Sequence, residues 1–442
     1  MSRWVGGTMD NVIVCVVQQK MRLPADLADF EAELRRFLRV AQAKGAQLIV
    51  FPELAGMMAA PPLLNGLRAG LLKQADRGRQ SRVNFWERAR SKMAAGTAGL
   101  LGSDFQRELA RLLDQNSQTL WDSYAELFGR LAQEMSATIV AGSLYTVDSV
   151  DGGIRNVATV FGPQGAVLGQ QSRVVMAGEN AALAEAGDGW GAISTPVGRI
   201  GLLLGPDVLY PETGRILAYQ GAEMLISLGA CTEPALYHRL RAGLLARVQE
   251  NQLYGAISFT VGYNPFTPGE TEPFVGRSAI CAPLEFTNRY TGIMAEVGAE
   301  TTEGILTAAW DFAALRQLWE VSAVPVRRTI PLAIAAPILT SIYQRGVGQL
   351  PSPTDDVSPL SLPAPTEPSE DSSPPATTEA PAAVDSPPAK PDRPFSLDDL
   401  PVMASSEAPL EPLSLAEDGV ESALEPAPEQ EPVKPRRWPW QR

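Results

Sequence analysis

The sequence is poor in the residues that build metal centres and disulfide frameworks. Among its 442 residues it has one histidine, His238, and three cysteines, Cys15, Cys231 and Cys281, which lie far apart with no CxxC spacing. A protein metal site needs several clustered ligands, and a Ser–His–Asp triad needs a well-placed histidine. We therefore predict no metal, no cofactor, and free thiols in a reducing, cytoplasmic compartment. His238 opens a predicted helix and is interpreted as a solvent-facing or capping residue.

Long apolar runs are also missing. No stretch of about 18 or more uninterrupted apolar residues occurs, so we predict no membrane span. Residues 1–10 have no apolar signal core, and we interpret them as an N-terminal arm. Ile330–Tyr343 (IPLAIAAPILTSIY) is apolar, but it is too short to cross a bilayer and contains Pro331 and Pro337.

The negative charge is confined to the C-terminal end of the chain. The formal net charge is −13, and residues 348–442 hold 18 acidic against 6 basic residues, together with 21 of the 37 prolines. A segment with many like charges, many prolines and few aromatic residues cannot bury enough apolar surface to offset its ordering entropy. We predict that residues 348–442 form a disordered, proline-rich acidic tail. Two apolar islands in it, Phe395–Met403 and Trp438–Trp440, are candidate docking motifs.

The rest of the chain alternates between buried strands and amphipathic helices. Val12–Val17 is a continuous apolar run, typical of a strand covered on both faces. Phe30–Lys44 has apolar residues at helical spacing and stops at Gly45, and Gln47–Phe51 is the next strand. Similar elements follow from Leu120 to Asp311, which predicts a layered α/β domain with mixed sheets.

One section interrupts this alternation. We interpret residues 57–115 as a basic helical insert, because Arg68–Lys92 contains eight basic and two acidic residues. Nucleic-acid binding by this section is an unfavoured hypothesis, since no aromatic stacking platform accompanies the charge. We prefer the hypothesis that the insert attracts the protein's own acidic tail; a separate protein partner for the tail stays open.

Five blocks, in order, resemble the nitrilase type of carbon–nitrogen hydrolase. They are Gly45–Leu54 (GAQLIVFPEL), Asn156–Val167 (NVATVFGPQGAV) running into Leu168–Val175, Val197–Glu212 (VGRIGLLLGPDVLYPE), Arg247–Asn264 (RVQENQLYGAISFTVGYN) and Phe274–Pro283 (FVGRSAICAP). The resemblance implies a four-layer α-β-β-α sandwich over about residues 11–320. It also implies self-association, as a homodimer or a larger homo-oligomer, with the apolar extension 321–347 at an interface. A segment that lies on a membrane surface is the second interpretation of that extension.

The resemblance implies a site whose catalytic groups are only partly present. The family hydrolyses amides or nitriles through a cysteine nucleophile, a glutamate base and a lysine. The glutamate corresponds to Glu53, the lysine position is Arg173, and the nucleophile position is Gly205, followed by Pro206. Glycine has no attacking atom, arginine does not give up a proton near neutral pH, and proline lacks an N–H for an oxyanion.

Two questions about the site stay open in the sequence. Cys231 follows the strand Glu223–Leu228, which we expect beside the strand Ile200–Leu204, so a relocated nucleophile at Cys231 is one hypothesis. A small buried hydrophobe is the favoured interpretation of this cysteine. The second acidic residue of the family's pocket corresponds to either Glu179 or Glu185.

Three hypotheses for the function follow. The first is an inactive homologue that binds a small amide, nitrile or carboxylate at Glu53 and Arg173, or that acts as a scaffold. The second is an active carbon–nitrogen hydrolase with rearranged chemistry, using Glu53 as a base and possibly Cys231. The third is an interaction protein that works through its insert and tail. We favour the first, because three changes weaken one mechanism.

Overall fold

The computed structural model describes residues 9–60, 99–148, 150–176, 184–264, 273–327 and 332–344. Most of the predicted N-terminal arm, the basic section Arg68–Lys92 and the predicted acidic tail 348–442 lie outside these described residues. The hypotheses about the insert and the tail therefore stay predictions.

Strands and helices alternate along the described chain, as predicted. The strands are β1 (Asn11–Met21), β2 (Leu48–Val50), β3 (Thr138–Val147), β4 (Ile154–Phe161), β5 (Val167–Ser172), β6 (Ala192–Thr195), β7 (Gly198–Leu204), β8 (Met224–Ala230), β9 (Tyr254–Gly262), β10 (Ala279–Cys281), β11 (Ile293–Glu296) and β12 (Gly304–Asp311). The helices are α1 (Leu27–Ala43), α2 (Gly99–Met135), α3 (Pro211–Tyr219), α4 (Pro234–Asn251), α5 (Phe312–Val321) and α6 (Leu332–Gln344). Short 3₁₀ helices span Ala55–Ala59 and Gly205–Leu209.

The strands form two sheets that share β1. The first sheet has the order β12-β1-β2-β3-β4-β5, and the second has the order β11-β10-β9-β8-β7-β6. The end of β1 pairs with β9, with Gln19 opposite Thr260 and Met21 opposite Gly262. The strands β7 and β8 are parallel neighbours, which confirms the prediction made for them from the sequence.

Apolar side chains fill three layers between the elements. Alternate β1 residues, such as Val14 and Val16, join the cluster between the two sheets, whereas Cys15 and Val17 face the layer of α1 and α2. A third cluster lies between the second sheet and α3 and α4. Both faces of each sheet are thus covered, which explains the continuous apolar runs in the sequence. The fold is the predicted four-layer α-β-β-α sandwich.

Strand direction brings several loop positions to one end of the sandwich. The strands β1, β2 and β3 are parallel, and two antiparallel steps make β5 run the same way. In the other sheet β7, β8 and β9 are parallel, and β9 is parallel to β1. The carboxyl ends of β2, β5, β7 and β8 therefore point toward the same end of the molecule, where ligand sites of such sheets occur.

The observed elements correct several boundaries. Ala55–Ala59 is buried in the core, so the folded body continues past residue 57, the predicted start of the insert. The helix α2 begins at Gly99 rather than at Leu120, and it covers the predicted end of the insert at residue 115. The sequence did not predict α5 as a separate helix. No helix among the described residues is long and apolar enough to cross a membrane.

Candidate functional site

Glu53 is held in the interior just after β2. Its side chain is almost fully buried, with 2% of the residue exposed. The hydroxyl of Thr260 donates to the backbone carbonyl of Glu53. The next residue, Leu54, has left-handed backbone (φ 63°), and its N–H donates to Ser143 Oγ over 2.9 Å. A non-glycine residue in this conformation is strained, which is common beside functional groups.

Two donors contact the Glu53 carboxylate. Asn156 Nδ2 donates to Oε1 over 2.8 Å, and Arg173 Nη1 contacts the same oxygen at 3.4 Å. All three side chains are buried. A buried ion pair of this kind compensates each charge for the loss of water, although its net effect on stability is small. The structure therefore places the predicted glutamate and arginine in direct contact.

The surroundings of Glu53 shift the pKa of its carboxyl. Burial is the largest influence and raises the pKa of Glu53 above its ordinary value. Arg173 and the hydrogen bond from Asn156 lower the pKa of Glu53, but they do not offset the burial. The nearby Asp207 carboxylate raises this pKa as well.

Arg173 follows β5 and points into the site. Its backbone N–H donates to Asn156 O over 2.9 Å, which continues the pairing of β4 and β5. Its side-chain Nε donates to Val175 O over 3.2 Å, while Nη1 faces Glu53. These contacts fix the plane of the guanidinium. Gly205 lies close to this guanidinium.

Gly205 directly follows β7 and has a positive φ of 51°. A Cβ built on it would lie 3.2 Å from Arg173 Cζ and 3.3 Å and 3.4 Å from the two terminal nitrogens. Those distances are tighter than ordinary van der Waals contact, so the guanidinium fills the space that a side chain at position 205 would enter. Pro206 follows and has no N–H to donate. Residue 205 thus supplies no nucleophilic atom at this strand end, and residue 206 supplies no backbone N–H.

Asp207 connects the two strand ends that carry Arg173 and Gly205. Its side chain is fully buried and accepts from the backbone N–H groups of Val175 (2.7 Å), Val174 (3.2 Å) and Leu204 (3.4 Å). Burial raises the pKa of Asp207, and these hydrogen bonds oppose the rise. The sequence analysis assigned no role to Asp207, so its structural role was missed.

Cys231 lies after β8, near enough for the charges at Glu53 and Arg173 to influence it. Its backbone carbonyl accepts from Val275 N–H over 2.7 Å, and its thiol is buried in the cluster under α4. Burial raises the pKa of the Cys231 thiol far above its ordinary value, and the Glu53 charge raises it further. The thiolate is the nucleophilic form of cysteine, so this environment disfavours attack by Cys231.

Other predicted residues fall elsewhere. Glu185 is exposed, and its backbone N–H pairs with Ile154 O, so it is not a buried pocket acid. Glu179 lies outside the described residues. His238 is exposed on α4, as expected, and its ring lies 4.1 Å from that of Tyr237. No cluster of three or more His, Cys, Asp or Glu suited to a metal occurs in the described ranges.

The sequence analysis also missed two neighbours of Glu53. Asn156 was treated only as the start of a matching block, although it donates to the carboxylate. Tyr145 is opposite Asn156 on β3, and burial together with the Glu53 charge raises the pKa of its phenol. The cross-strand position of Tyr145 was a usable signal, because residues paired across two strands share a face.

Comparison with known proteins identifies the family. The family model described as Carbon-nitrogen hydrolase matches residues 13–319, which is most of the chain. The chain belongs to the carbon–nitrogen hydrolase family. Glu53, Arg173 and Gly205, the positions that the resemblance assigned to the family's catalytic residues, fall inside the matched range.

Individual known proteins match over a smaller part of the chain. The protein named Probable hydrolase YhcX from Bacillus subtilis (strain 168) is 31% identical over 202 residues, covering 43% of this chain and 39% of that protein. Omega-amidase NIT2-A from Xenopus laevis is 27% identical over 220 residues, covering 46% of this chain and 71% of that protein. The chain thus spans well under half of the Bacillus relative's length.

Solved structures of carbon–nitrogen hydrolases share the fold. A carbon–nitrogen hydrolase from Helicobacter pylori G27 superposes with a TM-score of 0.54 at 19% identity, covering 74% of this chain and 98% of that one. The C. elegans NitFhit protein gives a TM-score of 0.52 at 18% identity, covering 73% of this chain and 66% of that one. Identities this low establish the shared architecture only.

Proposed function

We propose that this protein is a carbon–nitrogen hydrolase homologue that does not hydrolyse amides or nitriles by the covalent thiol route and that its folded body serves as a scaffold. The observation that carries the proposal is the position of the Arg173 guanidinium. It occupies the space next to Gly205 and contacts Glu53 at 3.4 Å. One side chain thus fills the nucleophile's space and engages the base.

The chemistry explains why these changes act together. Covalent hydrolysis needs a thiol, a base that removes its proton, and donors that stabilise the charge on the substrate. Gly205 has no thiol, Glu53 is already in contact with a cation, and Pro206 lacks the backbone donor. The loss of one such donor alone typically costs about 2.7–4 kcal/mol of transition-state stabilisation.

A scaffold role is better supported than small-molecule binding. Glu53 and Arg173 are buried and already contact each other, so an entering carboxylate or amide must break that contact. One observation favours a ligand: among the described residues, Asn156 Oδ1 is buried without a hydrogen-bond partner. A ligand N–H reaching that oxygen after the pair opens is the second candidate, because an unpaired buried acceptor is costly.

Residual hydrolysis by an activated water is a further candidate. Burial raises the pKa of Glu53, and a general base works best when its pKa lies nearer to neutral pH. The raised pKa of the buried Cys231 thiol argues against that residue as a second nucleophile. A cytoplasmic location and self-association stay predictions from the sequence and from the family resemblance.

The decisive experiment is an activity panel on the full chain. Wild type, Glu53→Gln and Cys231→Ala are assayed with small amides, nitriles and N-carbamoyl compounds, with product detected by mass spectrometry. We expect no turnover above the protein-free blank in any of the three. Turnover in wild type that disappears in Glu53→Gln but persists in Cys231→Ala would replace the scaffold role by hydrolysis through an activated water. Turnover that also disappears in Cys231→Ala would refute the proposal and identify the nucleophile.

A designed gain of function provides the positive control. Gly205→Cys alone should stay unreactive, because the new side chain meets the Arg173 guanidinium. The double variant Arg173→Lys/Gly205→Cys removes that overlap and should form a covalent acyl adduct with a reactive amide. Intact-protein mass spectrometry measures the adduct. An adduct on Gly205→Cys alone would show that Arg173 does not block the site.

A further inference from the structure

We infer that a cavity beside α4 receives the segment Phe395–Met403 of the same chain's C-terminal tail, with the Phe395 ring as its anchor. The cavity, here called the α4 cavity, has a volume of about 210 Å³. Its lining is mostly apolar and comes from α4, β9 and the paired strands β10 and β11: Ala242, Leu245, Ile257, Ala279, Cys281 and Ile293. The exposed His238 and the cationic Arg241 complete the lining.

Helical spacing puts the α4 cavity on one side of α4. His238, Ala242 and Leu245 follow one another at intervals of four and three residues, so they share a face of the helix. Gly243 belongs to a different face, because a Cβ on it would lie 2.9 Å from Val208 O in the 3₁₀ helix before α3. The cavity is therefore on the side of α4 away from α3.

The size of the α4 cavity suits one aromatic ring. An apolar cavity of about 150 Å³ is large enough to bind benzene, so a phenyl ring fits into this one. Ile257, Ala279 and Cys281 form its floor and are at most 3% exposed. A ring placed on that floor would be shielded from water, and an aromatic anchor buried in a pocket contributes strongly to binding.

The elements around the α4 cavity carry a net positive charge. The helix α4 and the segment Arg277–Glu296 contain five arginines and three glutamates, a balance of +2. Two of the arginines, Arg241 and Arg277, share the single carboxylate of Glu296. The balance stays positive when Glu300 is included, and Glu300 already accepts a hydrogen bond from α4. An acidic segment with an apolar anchor is therefore complementary to this site.

Of the aromatic residues in the tail, Phe395 alone has an acidic setting. The sequence after residue 344 contains three aromatic residues, Phe395, Trp438 and Trp440. Residues 392–403 hold three aspartates and one arginine, whereas residues 431–442 hold four basic residues and one glutamate. The positive charge around the α4 cavity thus attracts the segment that contains Phe395 and repels the segment that contains the two tryptophans.

The tether between α6 and Phe395 is long enough to reach the α4 cavity. Fifty-one residues separate Gln344, the last residue of α6, from Phe395. As a disordered chain, a tether of this length spans about 40 Å, which is about twice the radius of gyration of a domain of roughly 310 residues. Tethering also gives the segment an effective concentration of about 0.1–1 mM, so a contact that is weak between separate molecules becomes populated within one chain.

Photo-crosslinking in the full chain tests the contact. With Phe395→p-benzoylphenylalanine, irradiation should link residue 395 to α4, β10 or β11 of the same chain, as mapped by mass spectrometry. The matched control Trp438→p-benzoylphenylalanine should give about ten-fold less of this product. Crosslinks from residue 395 that reach only other parts of the body, or only a second chain, overturn the proposal.

Filling the α4 cavity should exclude the segment. Ala242→Trp places an indole at the cavity and should lower the crosslink yield about ten-fold. Ala235→Trp changes another exposed alanine of α4 that does not line the cavity, and it should leave the yield unchanged. Circular dichroism should give both variants the melting temperature of wild type. Equal crosslink yields in the two tryptophan variants contradict the assignment of the cavity.

Labelling of Cys281 gives a readout with the natural side chain at position 395. A docked Phe395 ring covers the cavity floor, so Phe395→Ser should speed the reaction of Cys281 with 4,4′-dithiodipyridine about five-fold. Trp438→Ser should leave this rate unchanged. Cys15, buried on β1 outside the cavity, is the internal reference and should react equally in all three proteins. Equal Cys281 rates in wild type and Phe395→Ser would show that the segment does not occupy the cavity.

Discussion

Arg173 and Gly205 are sterically complementary. The guanidinium lies against the glycine so closely that a single added carbon on residue 205 would approach Cζ to 3.2 Å. The large side chain of Arg173, just after β5, fits there because Gly205, just after β7, has no side chain. Either change alone would give overlap or an empty space.

Alanine at position 205 should destabilise the fold. The positive φ of Gly205 and the overlap with Arg173 predict a loss of about 1–3 kcal/mol in the free energy of unfolding for Gly205→Ala. Urea denaturation measures it. Gly298→Ala is the matched control, because a Cβ there meets nothing within 4 Å, and it should change stability by less than about 0.5 kcal/mol.

A double-mutant cycle isolates the contact between the two residues. In an Arg173→Ala background, Gly205→Ala should lower the free energy of unfolding by less than it does in wild type, because only the backbone strain remains. The difference between the two effects, the coupling energy, should be about 0.5–3 kcal/mol. Equal costs in both backgrounds would mean that the guanidinium does not restrict position 205.

The raised pKa of Glu53 should appear in the pH dependence of stability. A carboxyl whose pKa is higher in the folded than in the unfolded state contributes stability that is present below the unfolded pKa and is lost as pH rises through the folded pKa. Wild type should therefore lose stability relative to Glu53→Gln as pH is raised above about 4.5. Urea denaturation at a series of pH values measures the difference.

Glu31 provides a control of opposite sign. Hydrogen bonding to Arg130 lowers the pKa of Glu31 to about 2, so its contribution is present above the unfolded pKa and is lost as pH falls toward 2. The difference in the free energy of unfolding between wild type and Glu31→Gln should therefore become smaller as the pH is lowered. If Glu53→Gln behaved like Glu31→Gln, the ion pair with Arg173 would outweigh burial.

Removing Arg327 should release the C-terminal segment from the body. Arg327 stacks on Trp319 and donates to Ala218 O and Asn251 O, carbonyls at the ends of α3 and α4. A cation there is stabilised by the helix dipoles and by the ring. Arg327→Ala should lower the free energy of unfolding by about 1–3 kcal/mol in urea denaturation. The exposed Arg39 gives the control, since Arg39→Ala should be nearly neutral. An equal effect of both variants would contradict the role given to Arg327.

The sequence predicted the framework of this site well because its signals are local. Buried strands such as Val12–Val17 are continuous apolar runs, and Glu53 stands directly after one such strand. The direction of parallel strands then brings separate loop positions to one end. The layered α/β class with mixed sheets followed from these patterns, whereas the four-layer arrangement was predicted from the family resemblance.

The remaining site contacts depend on distant backbone groups. Asp207 accepts from the N–H groups of Val174 and Val175, more than thirty residues earlier in the chain, and no periodic pattern records such a bond. The left-handed backbone conformation of Leu54 could not be predicted from the sequence either, since leucine does not favour this conformation. The start of α2 at Gly99 was not predicted, because the basic residues of Arg68–Lys92 led us to interpret residues 57–115 as one insert.

The sharing of β1 between the two sheets has a mechanical consequence. Its last residues pair with β9, and Thr260 on β9, opposite Gln19, also donates to the carbonyl of Glu53. The backbone of Glu53 is therefore hydrogen-bonded to β9 at the place where β1 and β9 connect the two sheets. Separating the two sheets at this end would therefore break the hydrogen bond that Thr260 donates to the backbone of Glu53.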